Sequence, residues 1–77
     1  MITVEQIHTI ISNVVPKINV NKINPYIPLR EYGLDSIDFF SIIIELQELL
    51  GNEIPDEDID QIQTVADIQE YFRNQKS

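Results

Sequence analysis

The chain contains no cysteine. Neither a disulfide nor a thiolate metal site is available to it, and any thiol chemistry needs a thiol attached from outside. Glycine is nearly absent too. Gly33 and Gly51 are the only two, too few and too far apart for a loop that cradles phosphate with its backbone N–H groups. The single histidine, His8, limits nucleophilic catalysis, because a serine nucleophile needs a base and a group to orient that base. His8 falls mid-helix beside Ile7 and Ile11, with no spacing that aims it at a serine, and reads as a surface or rim residue. No apolar run approaches the roughly 20 residues that span a bilayer. Met1-Ile2-Thr3 carries no basic lead, so no signal peptide is expected and a cytoplasmic protein is.

Positive charge is the other scarcity. Between Glu31 and Glu70 there is no Lys or Arg, while every acid except Glu5 lies in that window. Lys17, Lys22, Arg30, Arg73 and Lys76 all fall outside it, and the net charge is −8. Phosphate backbones are bound by neutralisation with Lys and Arg, so nucleic acid and anionic membrane are excluded as partners. Proteins with basic docking patches fit. The same acidity also serves ordinary solubility. A hydrophobic content of 43% with clear periodicity predicts a packed core rather than disorder.

Residues 3–15 read as a helix, with Val4, Ile7, Ile11 and Val14 on one stripe, Ile10 beside them, Thr3 as N-cap and Pro16 as the stop. Residues 16–34 form a long connection broken by Pro16, Pro25, Pro28, Asn19, Asn21 and Asn24. A loop of that length is functional or packed on the core, and Ile27, Leu29 and Leu34 are the expected anchors. Gly33 is expected at positive φ. The second helix covers 36–50, from an Asp35 N-cap to a Gly51 stop. At 100° per residue, Phe39, Ile42, Ile43, Leu46, Leu49 and Leu50 share a broad core face, and Asp38, Ser41, Glu45 and Glu48 a wet one. Ile37, Phe40 and Ile44 make a third stripe, either covered by the long loop or left open for partners. A short helix over 56–62, with Ile59 and Ile62 inward, and a last one over 65–73, capped by Thr64 with Asp67 at N3, complete the chain. Nothing alternates like a strand. The prediction is one all-α domain over 1–77: a small four-helix bundle of three long helices and one short, with a long first loop, and a monomer.

Two features carry chemistry. In Gly33-Leu34-Asp35-Ser36-Ile37-Asp38, a lone serine stands on the first turn of a helix between acids, with no local base. Such a hydroxyl suits modification by another protein better than catalysis of its own. The cluster Asp56, Asp58 and Asp60 matches three positions of a calcium loop. Gln61 and Asp67 then stand where the sharp-turn Gly and the bidentate Glu belong, so a solvated acidic surface is the simpler reading and no metal is expected.

The Gly33–Asp38 stretch resembles the modification motif of acyl carrier proteins. Residues 48–58 are similar to that family's exit from helix II and its acidic entry into helix III, and Thr64-Val65-Ala66-Asp67 through Tyr71 resembles its last helix. The resemblance implies that Ser36 attacks the pyrophosphate of coenzyme A within a phosphopantetheinyl transferase and carries 4′-phosphopantetheine as a phosphodiester. The arm's thiol then holds acyl groups as thioesters, and the carrier is not an enzyme. By the same analogy Asp35, Asp38, Glu45 and Glu48 face basic patches on acyl-transferring and acyl-modifying enzymes, and Ile37, Phe40 and Ile44 supply the apolar part of the docking surface. Ser41, Gln47 and Leu49 stand where the family often has acids, and the Phe39-Phe40 pair and the prolines of the first loop are unusual. Fatty acid synthesis and a specialised pathway, such as polyketide chemistry, both remain open. An unmodified acidic interaction module and a small calcium sensor are the competing readings. So much apolar side chain on the second helix also predicts an interior able to admit an acyl chain.

Overall fold

A computed structural model describes residues 2–75 of the 77-residue chain. The chain runs α1 (Val4–Val14), a 3-10 turn (Val20–Lys22), a second 3-10 turn (Leu29–Tyr32), α2 (Ser36–Leu50), α3 (Asp56–Ile59) and α4 (Val65–Arg73), with no strand among the described residues. The expected all-α bundle of three longer helices and one short one is therefore present.

Local chemistry sets the helix ends. Thr3 and Gln6 form a reciprocal capping box, with Gln6 N–H donating to Thr3 Oγ1 at 3.1 Å and Thr3 N–H to Gln6 Oε1 at 2.9 Å. Thr64 and Asp67 do the same for α4, through Asp67 N–H to Thr64 Oγ1 at 2.9 Å and Thr64 N–H to Asp67 Oδ2 at 3.1 Å. Gly51 ends α2 at φ 82, a left-handed conformation that a side chain would strain. The short helix is shorter than its sequence suggests. It closes at Ile59, and 60–62 continue as turns, with Gln61 N–H on Asp58 O and Ile62 N–H on Ile59 O, both at 3.0 Å.

α1 packs against α2, α4 and the first 3-10 turn. Its Ile7, Ile10 and Ile11 meet Ile42, Ile43 and Leu46 of α2 and Val65 and Ile68 of α4 in one apolar cluster, and no polar or charged side chain is buried among the described residues. The long first connection lies against the other end of the chain. Leu29 N–H donates to Gln63 O at 2.8 Å and Ala66 N–H to Pro25 O at 2.9 Å. Within the loop, Asn24 N–H donates to Tyr32 Oη at 2.8 Å, and Asn24 Oδ1 accepts from Tyr26 N–H at 2.8 Å.

Three expected core residues are exposed. Val4, the first residue of α1, is 39% exposed, because the stripe is covered only from Ile7 onward. Ile27 closes the turn begun at Asn24, its N–H on Asn24 O at 3.2 Å, and that turn carries its side chain outward, 39% exposed. Ile23, just before the turn, is buried in its place beside Leu29 and Leu34. Leu49 is 51% exposed. It lies about 60° around the helix from Leu46, at the margin of the core arc, in the last turn before the chain departs at Gly51. Ile54 packs into the core from beyond that stop, held where its N–H meets Gln47 Oε1 at 2.8 Å.

Leu46→Ala is expected to cost about 2–5 kcal/mol through the cavity it leaves, a large part of the roughly 4–12 kcal/mol available to a domain of this size. Leu49→Ala is expected to cost under about 1 kcal/mol. Urea unfolding midpoints of the two variants check the assignment, and equal losses would return Leu49 to the core.

Candidate functional site

Four consecutive residues fix the geometry around Ser36. Gly33 turns the chain at φ 89, its N–H on Arg30 O at 3.1 Å, and any side chain there would be strained. Leu34 is buried, 5% exposed, and anchors the turn to the core. Asp35 caps α2, accepting Asp38 N–H on Oδ1 at 2.8 Å. Ser36 is then the first residue of the helix and lies exposed. Its hydroxyl makes no hydrogen bond to another described residue, and His8 sits half-buried on α1. The expected solvent-facing hydroxyl at a coil-to-helix junction is what the structure contains.

Downstream of Ser36, α2 presents an outward face opposite its buried one. Ile37 is 74%, Phe40 54% and Ile44 55% exposed, so the long loop leaves this stripe uncovered. Glu48 is exposed, and Asp38, Ser41 and Glu45 are half-buried along one flank. Helical spacing places the middle of this face about 180° from Leu46. By helical spacing Ile37, Phe40 and Ile44 lie together on this face with Asp38, Glu45 and Glu48 along one flank, and Asp35 and Ser36 stand at its N-terminal end.

A cleft of about 370 Å³ opens beside the serine, lined by Leu34, Ser36, Phe39 and Phe40 together with Leu29, Arg30, Ile59, Ile62 and Gln63. A second cleft, of about 430 Å³, lies on the far side of Phe40 against Ile43, Ile44, Gln47 and Ile54, and Phe40 and Ile59 line both. The apolar space expected inside the protein is thus an open groove at its surface. Phe39 is half-buried, packed on the core and lining that groove. Arg30 and Gln63 escaped the sequence reading, because it takes the Leu29–Gln63 and Ala66–Pro25 backbone bonds to bring these distant segments together. The inward Ile59 and Ile62 were legible from their spacing.

Asp58, Asp56 and Asp60 hold no metal geometry. Among the described residues no three His, Cys, Asp or Glu groups are grouped to hold an ion. Asp58 instead accepts the Tyr71 hydroxyl at 2.8 Å, tying α3 to α4. Burial first, then the bond to the Asp58 carboxylate and its charge, push the Tyr71 phenol up to about 12.

With this geometry in place, the comparisons with known proteins fall in line. The family described as "Phosphopantetheine attachment site" matches residues 5–72. The acyl carrier protein of Lactobacillus johnsonii is 35% identical over 48 residues, covering 62% of this chain and 60% of that protein. The mitochondrial acyl carrier protein of Dictyostelium discoideum is 37% identical over 57 residues, covering 74% of this chain and 48% of that protein. The matched segments thus span about half to three fifths of those relatives' length. The chain belongs to the acyl carrier protein family. Members of that family carry 4′-phosphopantetheine covalently and are not themselves catalysts.

The Tyr71–Asp58 bond supports the α3 wall of the cleft and gives it a pH limit. A phenol that holds its proton more tightly when folded contributes stability that is complete below its ordinary value near 10. That contribution is lost as pH rises from there through about 12. Wild type is therefore expected to lose stability over that window more steeply than Tyr71→Phe, as read by denaturant midpoints at each pH. Parallel curves would mean that burial and the bond to Asp58 together leave the phenol no harder to ionise in the folded chain.

Proposed function

We propose that Ser36 is the attachment point of the phosphopantetheine arm, and that the chain shuttles acyl or related groups between partner enzymes of fatty acid, polyketide or related biosynthesis. The observation that carries this reading is the exposed Ser36 hydroxyl at the head of α2, continuous with an outward face of apolar residues bordered by acids. The residues present fit the group. The hydroxyl is reachable by a modifying enzyme, and the free N–H groups and dipole at a helix N-terminus favour an anion there. When bound, the arm supplies the thiol that a cysteine-free chain lacks.

The partners include a phosphopantetheinyl transferase and acyl-handling enzymes whose docking sites are basic. Asp35, Asp38, Glu45 and Glu48 attract them, and Ile37, Phe40 and Ile44 give the contact its apolar centre. Charge of this kind raises encounter rates more than it adds affinity. A shuttle needs rapid arrival and rapid release. Phe39, Phe40, the exposed Leu49 and the proline-bounded loop suit a dedicated pathway as well as a general one. No described helix is long and apolar enough to cross a membrane. Cytoplasmic placement is part of the same reading.

Intact mass after incubation with a broad-specificity phosphopantetheinyl transferase and coenzyme A tests the attachment. Wild type is expected to gain one phosphopantetheinyl group and Ser36→Ala none. No gain on wild type, or an equal gain on the variant, defeats the assignment.

The acid window also favours a second reading, an unmodified interaction module, in which Ser36→Ala would leave biological activity intact. Docking is checked separately. Asp38→Lys with Glu45→Lys is expected to slow association with the transferase by roughly 10-fold or more at low salt, with the difference shrinking as salt is added. Stopped-flow binding at several ionic strengths reads this out, and an unchanged, salt-independent rate would remove the acids from the docking surface.

A further inference from the structure

Arg30 is the only Lys or Arg lining the cleft beside Ser36. It stands at the edge of the long acidic window, on the 3-10 turn whose Leu29 is pinned to Gln63. Asp35 and Asp60 line the same cleft, yet Arg30 pairs with no carboxylate: the only ion pair among the described residues is Arg73–Glu70. Its one side-chain hydrogen bond is long, Nη1 to Gln63 Oε1 at 3.4 Å. A guanidinium carries five N–H donors in a planar fork, so most of that capacity is uncommitted in the cleft that Ser36 also lines.

We infer that Arg30 reads the anionic group at the base of the arm, the phosphodiester on Ser36, and holds the root of the arm toward the cleft. This inference rests on Ser36 being the attachment point. A phosphodiester there adds a negative charge between Asp35 and Asp38, in a region that carries no other cation from Glu31 to Glu70. Asp35 and Asp38 repel that charge and Arg30 attracts it, while Asp60, which also lines the cleft, is a carboxylate that the guanidinium must outweigh. Bidentate contact with phosphate suits a guanidinium fork better than an ammonium point charge. The phosphate is bonded directly to the Ser36 oxygen, whereas a carboxylate on the cargo rides at the far end of a flexible arm, so the phosphate is the nearer anion.

Phosphorus NMR of the modified protein tests this without any activity measurement. The chain is loaded from coenzyme A, its mass is checked, and wild type is compared with Arg30→Ala and Arg30→Lys. Arg30 is exposed, so all three are expected to fold alike, as amide spectra verify. The phosphorus resonance is expected to shift in Arg30→Ala, to shift less in Arg30→Lys, and to lose its dependence on residue 30 at high salt. Coincident resonances in wild type and Arg30→Ala overturn the inference. So does a response confined to a labelled carboxylate on a succinyl-loaded arm, which would move the target of Arg30 to the cargo. A wild-type chain that gains no mass defeats the attachment reading and this one with it. A modified chain with an indifferent phosphorus signal defeats this one alone.

Discussion

Every functional feature of this molecule is positioned by the turn that precedes α2. Gly33 can hold a left-handed conformation, Leu34 drives into the core, and Asp35 ties up the N–H of Asp38. Those three constraints leave the next residue one direction to face. If the helix began a residue later, every side chain on α2 would turn by about 100° around the axis. Ile37 and Ile44 would leave the outward centre, and Ile42 and Leu46 would leave the core. The same turn thus fixes an exposed hydroxyl, a buried face and an outward apolar face, and none can move independently of the others.

α2 is also where stability and function compete. A helix in a small domain gains by burying apolar surface, at about 25 cal/mol per Å², yet Ile37, Phe40 and Ile44 remain in solvent. The core does not need them. Ile42, Ile43 and Leu46 already close it against α1, and no buried polar side chain in the described residues weakens that closure. An exposed apolar stripe bordered by acids invites association, but the net charge of −8 keeps copies of the chain apart. On the proposed reading the same carboxylates serve both solubility and partner choice.

Much of the fold was legible because its punctuation is local. Asp35, Gly51, Thr64 with Asp67, and Pro16 each act within four residues of the backbone they satisfy or stop, so the helix limits follow from short stretches of sequence. Ser36 was legible for the same reason. What escaped depends on segments far apart in the chain. The exchange of Ile27 for Ile23 reflects how the first loop is stitched to residues 63–66, which periodicity does not encode. Leu49 lies on the correct face by angle but too near the end of α2 to be covered. Arg30 reads as one more solvated cation until the Leu29–Gln63 pairing sets it in the cleft that Ser36 lines.

Phe40 links these levels. It belongs to the exposed stripe, yet it also lines both clefts together with Ile59 of α3. A partner that presses on the stripe therefore presses on the partition between the two grooves, while α3 is held from behind by the Tyr71–Asp58 bond alone among side-chain hydrogen bonds of the described residues. α3 is four residues long, too short to hold its position by helix propensity, since isolated helices below about 12 residues are marginal in water. Its place depends on Ile59, Ile62 and that one hydroxyl. The groove beside Ser36 accordingly has one firm wall, α2, and one whose position depends on few contacts, and Phe40 lies where docking and groove width meet.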